Sequence, residues 1–216
     1  MFICRMPEQL INNLRKRLEQ PLPGIKAQST MASAKRFDER FVKRNRAGSR
    51  LGAVLIPLYF HKGQLSVVLM KRPDYIGAHS GQVSFPGGKH EEEDPDLEFT
   101  ALRESHEEVG LSPQSVDVLG QLTDLYIPPS NFVVHPFVGF VRDLPELVPD
   151  KHEVESILQT PISHFLNHDL REKEIRITDH YSLEAPYYEV DGHTVWGATA
   201  MILAELQQVL QEVGFQ

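Results

Sequence analysis

The sequence predicts an α/β protein in which a mixed β-sheet is packed between helices. Three observations carry that prediction. Short apolar runs rich in Val, Ile, Leu and Phe recur between Gly, Pro, Asn and Asp turn residues, one acidic segment with helical spacing interrupts them, and the chain closes on a longer apolar helical segment. No internal repeat is visible.

In chain order, Leu10, Leu14 and Leu18 recur every fourth residue with Ile11 beside them, which predicts an amphipathic helix from Pro7 to Gln20, ended by Pro21-Leu22-Pro23-Gly24. Such a helix either packs on the core or pairs subunits, so a homodimer is one expected assembly. Gly24 to Gly48 is polar, basic and weakly periodic and reads as an extended, solvated linker. The chain therefore divides into an N-terminal helix and linker, residues 1–48, and one main domain, residues 49–216. Leu51 to Phe60 and Leu65 to Met70 flank His61-Lys62-Gly63-Gln64 and predict a β-hairpin. Gln82 to Phe85 predicts a short strand leading into a Gly-Gly turn.

Asp94-Pro95-Asp96 predicts a helix start, with Asp94 as N-cap and Pro95 in the first helical position, and Gly110 predicts its stop. Ser115 to Leu122 and Phe132 to Val141 follow as strands around a Pro-Pro loop, Asp124 to Asn131. Val154 to Leu158, Ile175 to Tyr181 and Tyr187 to Val195 read as further strands, Pro161 to Leu166 as a short helix, and Trp196 to Val213 as the closing helix.

The central helix carries the chemistry. Glu104, Glu107 and Glu108 stand at i, i+3 and i+4 and share one face, with Phe99, Leu102 and Val109 opposite. Acidic helix faces are commonly just solvated. Here the context points further: Arg103 can pair with Glu107 one turn on, and Gly87 and Gly88 let backbone approach a ligand closely. Three carboxylates this close repel one another, and a hard cation such as Mg²⁺ or Mn²⁺ among their oxygens would relieve the conflict. The ten histidines form no HExxH pair, so zinc is not expected.

A formal net charge of -8 argues against broad attraction to nucleic acid or membrane surfaces, and an anionic small-molecule substrate would need a metal or local bases. The longest apolar stretches, Leu51 to Phe60 and Phe132 to Val141, fall well short of the ~20 residues that span a bilayer. Cys4 is the only cysteine, which excludes an internal disulfide and, with no sorting signal visible, suggests the cytoplasm.

Phe85-Pro86-Gly87-Gly88 followed by Arg103-Glu104-Ser105-His106-Glu107-Glu108-Val109-Gly110-Leu111 resembles the Nudix hydrolase family, whose box is G, five residues, E, seven residues, then R-E-U-x-E-E-x-G-U with U aliphatic. The resemblance implies a Nudix-type α/β/α sandwich and metal-dependent attack of water on a diphosphate. It also implies Glu104, Glu107 and Glu108 as metal ligands with the Gly88 carbonyl as a fourth, Arg103 as their partner, and Glu104 as a general base instead. Glu153 and Glu155, in a distant loop, are candidates for the further base or ligand. Two departures stand out: one extra residue lies between Gly88 and Arg103, leaving the first box Glu matched by Asp94 or Pro95, and Ser105 replaces an aliphatic residue.

Arg72, His79, Gly81, Val83, Phe85, Pro86, Gly87 and Gly88 resemble the added signature of the coenzyme A pyrophosphatase branch. Asn131 to Gly139 and Val195 to Ala200 resemble that branch too. This implies coenzyme A or an acyl-coenzyme A as substrate, with Arg72 or Lys71 meeting the ribose 3′-phosphate and His79, Gly81 and Phe85 nearby. Pro73 and Gly77 stand where the branch often has Ser and Arg. Alternatives are a Nudix hydrolase of ADP-ribose or a dinucleotide, and a non-catalytic module; the intact acidic triplet speaks against the latter.

Overall fold

The computed structural model describes residues 5–33, 48–73, 81–166, 171–178 and 181–215. Strand β1 (Arg50–His61) is the spine of the main sheet. Its second half pairs antiparallel with β2 (Gln64–Lys71), joined through Lys62 and Gly63, both at positive φ, the backbone a two-residue hairpin turn demands. Its first half pairs antiparallel with the short β4 (Gly87–Lys89), and along its other edge it runs parallel to β7 (Phe132–Val141). Strand β3 (Val83–Ser84) and β8 (Ser156–Pro161) pair with β2, while β5 (Val116–Gln121) and β6 (Leu125–Ile127) pair with β7. The sheet is therefore mixed, as expected.

Two hydrophobic clusters cover its faces. On one lies helix α3 (Leu97–Val109), where Ala101 and Val109 pack against Ala53, Leu55, Val68, Met70 and Phe137. On the other lie α1 (Arg5–Leu18) and α5 (Gly197–Glu212), whose Leu14, Met201, Leu203, Leu206 and Leu210 join Ile56, Leu58, Val67 and Leu69. Alternate β1 residues go to opposite clusters, the period-two consequence of a strand buried on both faces. Each fully buried Leu contributes roughly 1.5–3 kcal/mol. A three-stranded meander, β9 (Arg171–Thr178), β10 (Tyr181–Val190) and β11 (His193–Trp196), packs Tyr188 and Val195 on the α5 side.

Helix α1 packs on the core, one of the two outcomes its pattern allowed. The segment after it is not an extended linker over its described part: α2 (Ile25–Gln28) and a 3₁₀ turn, Ser29–Met31, are folded against α5. The cause is a buried carboxylate. Glu205 of α5, fully buried, accepts from Gln28 Nε2 at 2.9 Å, Gly24 N at 2.9 Å and Thr123 Oγ1 at 2.6 Å. Burying that charge requires donors, and a polar segment supplies them.

Other differences are local. The expected Pro-Pro loop contains β6, and β8 lies two to three residues later than Val154 to Leu158. The expected strand Tyr187 to Val195 instead turns at Asp191 and Gly192, both at positive φ, so it spans parts of β10 and β11. Pro161 to Leu166 shortens to a four-residue helix, α4 (Ser163–Leu166).

Candidate active site

Helix α3 is capped by Asp96, not Asp94: the Asp96 side chain accepts from Phe99 N at 2.8 Å, and Gly110 closes the helix at φ 72°. Asp94 turns inward. Its Oδ2 accepts from Glu91 N at 3.1 Å and Thr100 Oγ1 at 2.8 Å, and Arg103 grips both its oxygens, Nε to Oδ1 at 2.9 Å and Nη2 to Oδ2 at 3.0 Å. The guanidinium holds the Asp94 carboxyl well below the usual carboxylate range, and Asp94 in turn holds Arg103 charged. Of the two positions the spacing allowed, Asp94, six residues after Gly88, is the one that carries a carboxylate and meets Arg103. Counting forward from Gly88 was the signal that pointed there.

Arg103 is the hub of the acidic face. Its Nη1 lies 2.9 Å from Glu107 Oε2, as the i, i+4 spacing predicted, and 3.0 Å from Glu104 Oε1. Glu104 rests against Gly88, where an added Cβ would stand 2.3 Å from its Cδ and 2.4 and 2.5 Å from its oxygens. Burial pushes its carboxyl up, Arg103 opposes, and Glu107 and Glu153 add to the rise.

Glu108 departs from expectation. Acidic helix faces are commonly solvated, yet the Glu108 side chain is 2% exposed. Its Oε1 accepts from Arg72 Nη2 at 2.8 Å and its Oε2 from Gly87 N at 2.7 Å. Burial is the larger influence and pushes the carboxyl up to about 7, against the pull of Arg72 and Gly87; Glu104 and Glu153 push the same way as burial. Phe99, on the side opposite the carboxylates, is 46% exposed, because the helix turns Ala101, Ser105 and Glu108 to the sheet instead.

Distant Glu153 arrives through a pinned loop. Asp150 N donates to Glu108 O at 2.9 Å and Glu155 N to Lys71 O at 2.8 Å, which brings Glu153 Oε2 to 4.0 Å from Arg72 Nη1. Lys71 pairs with Glu155 instead of facing the cluster. Gly81, at φ 64°, donates its N–H to Pro73 O at 3.2 Å and closes the loop between β2 and β3. Phe85 is 2% exposed and belongs to the core, so the expected substrate contact gives way to packing. His79 lies outside the described residues.

The donor set suits a hard divalent cation: oxygen ligands only, several carboxylates raising one another's proton affinity, and a Gly88 backbone left bare beneath Glu104. Among the described residues, no three acidic, His or Cys side chains converge as a ready coordination shell. Arg72 and Arg103 hold the carboxylates on separate hydrogen bonds.

An α/β/α sandwich with an acidic helix laid over a Gly-Gly strand defines the class. The model of the NUDIX domain matches residues 49–181, and the chain belongs to that family. It is 37% identical over 167 residues to Nudix hydrolase 15, mitochondrial, of Arabidopsis thaliana, covering 74% of this chain and 58% of that relative, so it spans little more than half of it. It is 35% identical over 182 residues to the human mitochondrial coenzyme A diphosphatase NUDT8, covering 80% of this chain and 75% of that protein. The fold is similar to that of RenU, a Nudix hydrolase from M. smegmatis, with TM-score 0.52 and 14% identity over 78% of this chain and 89% of that one.

Proposed function

We propose that this chain hydrolyses the diphosphate of coenzyme A to 3′,5′-ADP and 4′-phosphopantetheine, with Mg²⁺ or Mn²⁺ held by Glu104, Glu107, Glu108 and the Gly88 carbonyl. The observation that supports it is one carboxylate. At Glu108 the upstream signature, through Arg72 and Gly87, meets the acidic helix. The likeness to relatives named coenzyme A diphosphatases supports the substrate.

Water forms a new P–O bond at one phosphorus, the bridging P–O bond breaks, and the water's proton leaves to a base. The bound cation supplies charge neutralisation and a more acidic water. Glu153 takes the proton, or Glu104 does so in place of holding the cation. Burial of Glu104 and its neighbouring negative charges raise its proton affinity, which suits that role. Arg103, fixed by Asp94, keeps Glu104 and Glu107 oriented.

Purified protein incubated with coenzyme A, ADP-ribose and NADH, each with Mg²⁺ or Mn²⁺, tests this by product identification. Adenosine 3′,5′-bisphosphate and 4′-phosphopantetheine are expected from coenzyme A. Turnover of ADP-ribose or NADH without coenzyme A would replace the substrate; no turnover of any would favour a binding module.

A further inference from the structure

We propose that Asp150 is the positioning residue for Glu153, closing the turn that holds this carboxylate beside the acidic helix, where it accepts the proton of the attacking water. This rests on the diphosphatase reading above and selects Glu153 as its base, with Glu104 left to the cation.

Glu153 does not hold its own place. Its side chain is 59% exposed, and among the described residues its one ion-pair partner is Arg72, with Nη1 4.0 Å away. An exposed pair at that distance fixes little. Yet Glu153 lies close enough to Glu104 and Glu108 to push both carboxyls up. Its place is therefore set by the backbone that carries it.

That backbone is a closed turn built on Asp150. The Asp150 carbonyl accepts from Glu153 N at 3.1 Å and Val154 N at 2.8 Å, and its carboxylate Oδ1 accepts from His152 N at 2.7 Å, an Asx turn. Both ends of the turn are anchored. On the helix side, Val148 N donates to Val109 O at 3.0 Å and Asp150 N to Glu108 O at 2.9 Å, carbonyls that the end of α3 leaves without intrahelical partners. On the sheet side, Val154 is 2% exposed in the cluster under α3, and Glu155 N donates to Lys71 O at 2.8 Å. Only residues 151–153 lie between these anchors, and the Asp150 carboxylate ties their backbone. Because Asp150 N is bonded to the carbonyl of Glu108, the turn keeps Glu153 in register with the helix that carries the cation ligands.

Steady-state rates of the whole protein on coenzyme A, with hydrogen exchange over residues 151–155 read by mass spectrometry, test the assignment. Asp150 is exposed, so substitutions there keep the fold. Asp150→Ala should lower kcat about tenfold and leave KM within about twofold, since a base displaced by about 1 Å loses its reach while the substrate still binds. Asp150→Asn, whose side-chain carbonyl still caps the turn, should keep kcat within about twofold. Glu153→Gln should lower kcat about 100-fold, and adding Asp150→Ala to it should cost nothing further, because the group that Asp150 positions is already gone. Exchange of the Glu153 and Val154 amides should rise about threefold or more in Asp150→Ala and stay unchanged in Asp150→Asn. Normal kcat in Asp150→Ala or in Glu153→Gln, equal losses in Asp150→Asn and Asp150→Ala, unchanged exchange in Asp150→Ala, or a full Asp150→Ala loss in the Glu153→Gln background would each overturn the proposal; wild-type coenzyme A turnover would then leave the diphosphatase reading standing. The expected pattern on ADP-ribose, with coenzyme A untouched, would keep the role of Asp150 and replace the substrate. No turnover of any diphosphate would sink both.

Discussion

Glu104 occupies the space that a side chain on Gly88 would take, its Cδ 2.3 Å from the position of an added Cβ. The two glycines of the motif consequently do different jobs. At Gly88 the obstacle is the end of a flexible side chain, so Gly88→Ala should fold but displace Glu104, lowering turnover at least about tenfold. At Gly87 the obstacles are the Ala53 carbonyl and the Val54 backbone, and φ is 152°. Gly87→Ala should cost about 3 kcal/mol or more. Urea denaturation beside steady-state rates separates the two; equal stability losses would contradict this division.

The acid substitutions should also differ. Glu104→Gln and Glu108→Gln should each reduce turnover by about 100-fold or more, since each removes a charged oxygen from the reacting cluster. Only Glu108→Gln should cost about 1–3 kcal/mol of stability, because its buried amide nitrogen would face either Arg72 or Gly87 N donor to donor. Near-normal rates in both variants would move the site elsewhere.

A pH dependence follows from the raised Glu108 carboxyl. Its folded value of about 7 lies above the ordinary carboxylate value, so both states are protonated below pH ~4.3, and between there and pH 7 the unfolded chain binds fewer protons. Stability from this group is therefore full in acid and lost as pH rises through 7, on the order of 3 kcal/mol in all. A divalent cation binds the ionised form. The rise in Tm produced by Mg²⁺ should be larger at pH 8 than at pH 5.5, measured by calorimetry; equal rises would count against Glu108 as a ligand.

Asp94 and Arg103 form the buried pair beneath the cluster, with side chains 2% and 21% exposed. Asp94→Asn and Arg103→Met should each destabilise by about 3–5 kcal/mol, and the double variant by less than the sum, because one loss strands the other charge. Strict additivity in denaturant would show that the pair is not coupled. Turnover should fall as well, since Arg103 orients Glu104 and Glu107.

Ser105 replaces the aliphatic residue of the family box and is fully buried, with a hydroxyl that has no hydrogen-bond partner among the described residues. Ser105→Ala should therefore raise stability by about 1 kcal/mol and leave turnover unchanged. A loss of stability would mean that the hydroxyl is satisfied.

The sandwich and the acidic helix were legible from residues alone, because helix and strand periods are local properties: Glu104, Glu107 and Glu108 must share a face wherever the helix lies, and Phe132–Val141 reads as a strand with its observed bounds. The Arg103–Glu107 pair and the Gly110 stop were legible for the same reason. Burial was not. Which acid is covered depends on what the sheet brings over it, so Glu108 passed for a solvated residue until Arg72, 36 residues earlier, closed on it. The choice of Asp96 over Asp94 as cap was decided by the grip of Arg103 on Asp94, nine residues apart, and the folding of Gly24 to Met31 by Glu205 on the last helix, 177 residues beyond Gln28. Sequence by itself determined which groups carry charge and which face they share; tertiary structure decided their partners, because a buried charge takes the nearest donor in space, whatever the distance along the chain.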